Sequence, residues 1–359
     1  MSEVTPESTA VSVPEGSEPG LDLPAVLAWL AAHAPGVIGP TPSARLIAGG
    51  RSNLTYLVDD GTRRLVIRRP PLGHVLATAH DMAREHRIIG ALSATGVPVP
   101  QVLALCTDPT VTGAAFYAMS FVDGLVVRAD PGGTDGLDGP AKIGLARSMM
   151  AVLADLHEID VAATGLADFG RPEGFLERQL RRWSTQLAAS RSRELPGIDR
   201  LRDELAQHVP ISGASAIVHG DYRLDNLVVA PPGAADALAV RAVLDWEMAT
   251  LGDPLTDLGL LLAYWDVLSA LGSAAVPNVG SAQGFPDGAT LIGWYADRRD
   301  VDLSRLSWYQ AFALFKLGVI LEGIHFRFQL GQTVGEDFAK IGAVVPEVVQ
   351  AGLTMLGSA

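Results

Sequence analysis

The chain has one cysteine, Cys106, in 359 residues, so no disulfide can form within it and a reducing compartment suits it. Lysine is nearly absent too: Lys142, Lys316 and Lys340 are the only three, which leaves arginine as the main carrier of positive charge. Positive charge is itself in deficit, since the formal net charge is −13. An acidic surface repels phosphate backbones, which argues against a nucleic-acid binder. The longest apolar runs fall short of the ~20 residues of a membrane span. Leu258–Trp265 stops at Asp266, and the next run is broken by Lys316 and Glu322. Met1-Ser2-Glu3 lacks the basic start of a secretory signal. A cytoplasmic protein with no membrane or nucleic-acid partner is expected. There is also no Gly-x-x-x-x-Gly-Lys-Ser/Thr run for a Walker-type ATPase, and no His or Cys pair at zinc-site spacing.

What remains is ample for a core: 48% of residues are hydrophobic and 19% charged. Residues 1–20, rich in Ser, Pro, Glu and Gly, are expected to form a disordered tail. Leu23–Leu30 reads as a short helix. Leu54, Tyr56 and Val58 alternate before the turn Asp59-Asp60-Gly61, and Leu65–Arg69 resumes extended structure, which predicts a hairpin. The spacing of Met82, Ile88, Ile89 and Leu92 predicts a helix within His80–Thr95. Val102–Cys106 and Phe116–Phe121 read as strands. After Gly124 helices dominate: Ile143–His157, Phe175–Ser190, Leu201–His208 and a long one around Ser304–Phe328. Short extended pieces interrupt them at Ile217-Val218, Leu227–Ala230 and Ala242–Leu244. Gly/Pro-rich connections cover 130–139 and 272–288. The fold class expected is α+β and bilobal, with a strand-rich part at 21–123 and a mostly helical part at 124–359.

Two stretches carry the chemistry. In Ile217–Val229 an apolar strand enters a polar loop and a second strand leaves, with Asp221 and Asn226 five residues apart. In Val243-Leu244-Asp245-Trp246-Glu247 another apolar strand ends in acids. Asn226 and Asp245 offer two hard oxygens suited to Mg²⁺, which prefers a few protein oxygens plus phosphate. Asp221 is then free to orient and deprotonate a hydroxyl.

His219-Gly220-Asp221 followed by Asn226 resembles the catalytic loop of the aminoglycoside phosphotransferase and choline kinase families, relatives of the protein kinases. Asp245-Trp246-Glu247 stands where protein kinases have Asp-Phe-Gly, and Gly252–Gly259 resembles the segment that follows in these phosphotransferases. The resemblance covers roughly residues 40–330. It implies a protein-kinase-like fold and transfer of phosphate from ATP or GTP, with Mg²⁺, to a small hydroxyl acceptor. Under it Asp221 is the base and Asn226 with Asp245 the metal ligands. Arg223 stabilises the transferred phosphate, and His219, Asp253 and Asp257 support the loop. Ala48–Tyr56 resembles the phosphate-covering loop, with Gly50, Ser52, Asn53 and Thr55 as contacts. Arg68 falls where protein kinases place a phosphate-binding lysine. Either Arg68 or its neighbour Arg69 would clamp the phosphates. Glu85 resembles the helix glutamate that pairs with that residue. Backbone groups near Ser120 and Val122 resemble the adenine-binding hinge.

Arg68-Arg69-Pro70-Pro71 matches the branch that resembles the kinase-like domain attached to acyl-CoA dehydrogenases, family members 10 and 11. That likeness implies a hydroxy acid or hydroxyacyl-CoA as acceptor. Lys316 and Arg327 share a helical face that favours an anionic acceptor, with His325 and Glu247 as further candidates. The competing readings are an aminoglycoside or macrolide phosphotransferase and a nucleotide-binding pseudokinase without turnover.

Overall fold

The computed structural model describes residues 18–48, 53–72, 80–129, 133–134, 136–272, 278–331 and 336–357. The chain divides into two compact units, one made of residues up to Arg87 with Gln101–Phe121, the other of Ile88–Pro100 with Val122 onward. No helix among the described residues is long and apolar enough to cross a membrane.

The first unit is strand-rich. Helix α1 (Leu23–His33) starts where the Asp22 side chain accepts from the Ala25 N–H, and it buries Val26 and Leu30. Five antiparallel strands follow: β1 (Ser43–Ala48), β2 (Leu54–Asp59), β3 (Arg64–Arg69), β4 (Val102–Cys106) and β5 (Phe116–Ser120), in the order β1-β2-β3-β5-β4. The β2–β3 turn closes on Asp59 and Asp60, whose carboxylates accept from the N–H groups of Gly61, Thr62 and Arg63, while Gly61 takes φ +84°. Val26 and Leu30 join Tyr56, Val58, Leu65, Ile67 and Phe116 in one core. Leu54 through Val58 are all buried, and Leu54, Tyr56 and Val58 share one core with α1. Residues 1–17 of the expected tail lie outside the described residues, while Pro19 and Gly20 hold the sheet through their carbonyls, which accept from Tyr56 and Arg69. Helix α2 (Met82–Leu92) carries Glu85 in its first turn.

The second unit is mostly helical. Helices α3 (Gly139–His157), α4 (Phe175–Ser190) and α5 (Ile198–Gln207) precede two small antiparallel ladders. Strand β6 (Ala216–Val218) pairs with β9 (Thr250–Gly252), and β7 (Leu227–Val229) with β8 (Val240–Val243). Helix α6 (Leu255–Leu262) runs into a π-helical stretch, Ala263–Leu268. Helices α7 (Gly288–Ala296), α8 (Leu306–Gln329) and α9 (Glu336–Gly357) complete the unit. Helix α8 is buried along most of its length and packs against α4, α5, α6 and α9. Glu322 on it is fully buried, with Arg193 forked onto its carboxylate at 2.8 and 3.1 Å, a geometry that offsets the cost of burying the charge.

Candidate active site

Strand β6 delivers the chain to His219, and a 3-10 turn at Leu224–Asn226 returns it to β7. The loop between is held from several sides. Asp257, in the first turn of α6, accepts from the backbone N–H groups of His219 at 2.7 Å and Gly220 at 2.8 Å. His219 accepts the Asp221 N–H on Nδ1 at 3.2 Å, which puts its proton on Nε2, 2.9 Å from the Leu244 carbonyl. The buried Tyr222 hydroxyl donates to the Met149 carbonyl of α3 at 2.8 Å. Gly220 takes φ +85°, and a Cβ there would lie 2.8 Å from the Met248 Cβ and 2.9 Å from its carbonyl oxygen, so both backbone and space require glycine.

The amide of Asn226 donates to the Asp221 carbonyl at 2.8 Å and to its carboxylate at 3.0 Å. Both amide protons are thereby directed at Asp221, and the amide oxygen is turned away from it. The Asn226 carbonyl accepts the Leu244 N–H at 2.8 Å, which extends the β7–β8 ladder to the residue before Asp245. Asp245 itself sits in the left-handed region at φ 64°, ψ 64°, a conformation that Asp tolerates better than bulkier residues. Asn226 and Asp245 therefore end the same ladder. Among the described residues no cluster of three His, Cys, Asp or Glu side chains exists to hold a metal by itself. One amide oxygen and one carboxylate fit a Mg²⁺ that shares its remaining ligands with phosphate and water.

The first unit contains a second polar cluster, centred on Glu85. This carboxylate is 1% exposed and accepts from Arg68 Nε at 2.9 Å, from Asn53 Nδ2 at 2.8 Å and from the Tyr117 hydroxyl at 2.9 Å. Arg68 also lies 3.4 Å from the Thr55 hydroxyl. Arg69, on the opposite face of β3, is buried and donates to the Thr112 carbonyl at 2.9 Å and to that of Gly20. Of the two adjacent arginines, Arg68 is the one at Glu85. Tyr117 was not singled out in the sequence, although it faces Arg68 directly in the β3–β5 register. Gly50 and Ser52 lie outside the described residues. At the end of β5 the Ser120 N–H donates to the Gln101 carbonyl and its hydroxyl accepts the Gln101 N–H; Val122 follows, half-buried.

Arg223 is held between Asp225, to which it donates, and the ring of Tyr264, 4.5 Å from the centroid. Burial and the nearby Asp221 raise the Tyr264 hydroxyl pKa, so it stays uncharged. Tyr264 lies in the π-helical stretch, which frees carbonyls that other groups then satisfy. Asn278 donates to the Tyr264 carbonyl at 2.6 Å, and Ser281 to that of Trp265 at 3.2 Å. Lys316 donates to the Gly220 carbonyl at 2.9 Å, with its ammonium 5.5 Å from the Trp183 ring centroid. Burial lowers its pKa, and the charges of Asp221 and Asp257 counter part of that shift. No sequence signal marked Tyr264 or Trp183.

The other expected residues lie elsewhere. Asp253 accepts from the Leu255 N–H at 3.0 Å and from the Tyr309 hydroxyl at 2.8 Å, joining α6 to α8, and among the described residues neither of these bonds goes to the loop. Glu247 is half-buried on the turn after Asp245. His325 and Arg327 are about 14 and 17 Å beyond Lys316 along α8 at 1.5 Å per residue. His325 packs against Gly342 of α9, and Arg327 is exposed. The structure thus brings Lys316 to the loop and leaves those two at the far end of the helix.

A strand-rich unit with a buried Arg–Glu pair, followed by a helical unit with this loop and ladder, defines the class of small-molecule phosphotransferases. A crystal structure from Ralstonia eutropha JMP134, assigned to the aminoglycoside phosphotransferases, is 32% identical, covers 94% of this chain and 98% of its own, and superposes with a TM-score of 0.79. The streptomycin–ATP ternary complex of an aminoglycoside 2″-phosphotransferase shares the fold at 14% identity, covering 94% of this chain and 97% of its own, with a TM-score of 0.56. Mouse acyl-CoA dehydrogenase family member 10 is 35% identical over 84% of this chain, which spans only 28% of that protein. Residues 43–291 match the phosphotransferase enzyme family, and the chain belongs to it.

Proposed function

We propose that the chain transfers the γ-phosphate of ATP or GTP to the hydroxyl of a small metabolite, with a hydroxy acid or a hydroxyacyl-CoA as the acceptor class. The observation that carries this reading is the Asn226 amide, which fixes the Asp221 carboxylate at 3.0 Å while turning its own oxygen away. A carboxylate held by one oxygen keeps lone pairs for a proton. Asp221 takes the acceptor's proton as that oxygen bonds to the γ-phosphorus, and the bond to the nucleotide diphosphate breaks. Arg68, oriented by Glu85, binds phosphate oxygens, helped by Asn53 and Thr55. Arg223 takes up charge that develops on the transferred group. Asn226 and Asp245 are the residues that would hold Mg²⁺, which when bound offsets the charge of the phosphates.

The acceptor class rests on the likeness to the acyl-CoA dehydrogenase family proteins and on Lys316 beside the loop. A nucleotide-consumption assay with Mg²⁺ across hydroxy acids, hydroxyacyl-CoAs, choline-like alcohols, aminoglycosides and macrolides tests the reading, with Asp221→Ala as control. Turnover with a hydroxy acid or its thioester is the expected result. Mg-ATP binding with no turnover above the Asp221→Ala background would leave a binding module instead.

A further inference from the structure

We propose that the acceptor site continues from Lys316 onto the outer face of α4, where Arg178, Arg181 and Arg182 bind a phosphate-bearing part of the acceptor. The proposal rests on Asp221 being the base of the transfer.

Lys316 is the starting point. Its ammonium has three protons, and the Gly220 carbonyl takes one of them. No carboxylate forms an ion pair with it among the described residues, although Asp221 stabilises its charge. It sits over the indole of Trp183 on α4, and the Arg182 guanidinium lies 5.6 Å from that same ring. Arg182 also adds to the charge felt by Lys316. A cationic line therefore leads from the catalytic loop to α4.

From Arg182 the line continues along the helix. Arg178, four residues earlier, is one turn away, with Arg181 between. These three, with Gln179 and Thr185, line an open groove of about 520 Å³. Arg178 is oriented by the backbone carbonyls of Arg171 and Glu173, which fix its direction without cancelling its charge. Among the described residues none of the three forms an ion pair, a property they share with Arg45, Arg147, Arg305 and Arg327 but, unlike those, on adjacent turns of one helix. Two acids, Glu173 and Glu177, flank this stretch and are exposed. In a chain of net charge −13, three guanidiniums with no carboxylate ion pair among the described residues, gathered on one side of a helix, concentrate positive charge that the chain has little of. Guanidinium forks match phosphate oxygens, and several together match a diphosphate better than a single carboxylate. A small carboxylate could be met by Lys316 alone. The α4 groove is useful to an acceptor whose hydroxyl reaches Asp221 while a phosphorylated handle lies further out.

The test is a calorimetric titration of the full chain with inorganic pyrophosphate, in saturating ADP so that the nucleotide site is filled. Wild type is expected to bind it, more weakly as salt is raised, and Arg178→Ser/Arg181→Ser/Arg182→Ser to bind it at least tenfold more weakly with the same affinity for ADP. The single exposed-site variant Arg181→Glu should shift affinity in the same direction if the triple variant folds poorly. Equal pyrophosphate affinity in wild type and both variants, or none in wild type, overturns the α4 site. Inorganic phosphate is the parallel probe: tighter binding of it than of pyrophosphate points to a free-anion site and also overturns the handle. Because the readout needs no turnover, failure here leaves the Asp221 assignment standing. Absence of nucleotide consumption in wild type would remove that assignment whichever way the titration falls.

Discussion

The Asn226 amide donates to both the backbone carbonyl and the carboxylate of Asp221, at 2.8 and 3.0 Å. One side chain thus sets the rotamer of the proposed base and keeps its own oxygen available to the proposed metal. Replacing Asn226 with Ala removes both functions while deleting few buried contacts. Turnover should fall at least about a hundredfold. The melting temperature should move little, because the loop keeps Asp257, His219 and Tyr222 as anchors. Asn226→Asp retains an oxygen but replaces two donors with an acceptor beside a carboxylate. It should lose activity as well, and steady-state kinetics with thermal melting separates the two cases.

Glu85 collects three donors in a buried site, so its removal and the removal of Arg68 should behave differently. Glu85→Ala leaves Arg68, Asn53 and Tyr117 without their common acceptor. Breaking such a buried pair costs about 3–5 kcal/mol, which chemical denaturation will read. Arg68→Lys keeps the charge but gives up the planar fork. Its expected signature is a nucleotide KM raised by about tenfold with a small change in stability.

His157 is fully enclosed, with Nδ1 2.7 Å from the Tyr295 hydroxyl and Nε2 3.3 Å from Asp257. The neutral ring satisfies both bonds: its Nε2 proton is donated to Asp257, and Nδ1 accepts the proton of the Tyr295 hydroxyl. Burial therefore holds its pKa below the ordinary 6.5. The unfolded chain binds this proton first as pH falls, so the stability contribution is intact above about pH 6.5 and is lost below it, by up to ~1.4 kcal/mol per pH unit. Asp257 has its own pKa lowered: burial alone would raise it, but His157 and the loop N–H groups outweigh that. It stays ionised across the same window. Denaturation midpoints from pH 7.5 to 5 should fall in wild type, and the fall should be shallower in His157→Asn. An equal slope in both proteins would place the proton elsewhere.

The parts of the site that were legible in the sequence are those whose partners are close along the chain. Asp221 and Asn226 are five residues apart, and their spacing alone puts them on one loop. Strand alternation separates Arg68 from Arg69, but the identity of the face at Glu85 depends on where α2 lies, seventeen residues on. Among long-range partners, Asp257 was marked only through the family resemblance, and others left no trace. His157 meets Asp257 across 100 residues and Lys316 meets Gly220 across 96. Helical spacing grouped Lys316 with Arg327 on one face, yet a helix of 24 residues is long enough for its two ends to serve different purposes. Tyr264 was hidden differently: a π-helical stretch shifts side-chain directions away from the 3.6-residue period on which the sequence reading relied.

Gly220 offers a test of the loop that spares every polar group in it. Its φ of +85° lies where a Cβ is strained, and the space that atom would need is filled by Met248, at 2.8 Å from the side chain and 2.9 Å from the carbonyl. The carbonyl of Met248 is backbone and cannot swing aside, so accommodating an alanine must move the Gly220 peptide itself. That peptide donates its N–H to Asp257, and the carbonyl of the same residue accepts from Lys316. Gly220→Ala should therefore disturb Asp221 and Lys316 together. The expected outcome is a loss of a few kcal/mol of stability, in the range for strain at special backbone positions, with turnover reduced far more than nucleotide binding. Nucleotide affinity that falls in step with turnover would instead mean that the loop carries the binding of ATP as well as its chemistry.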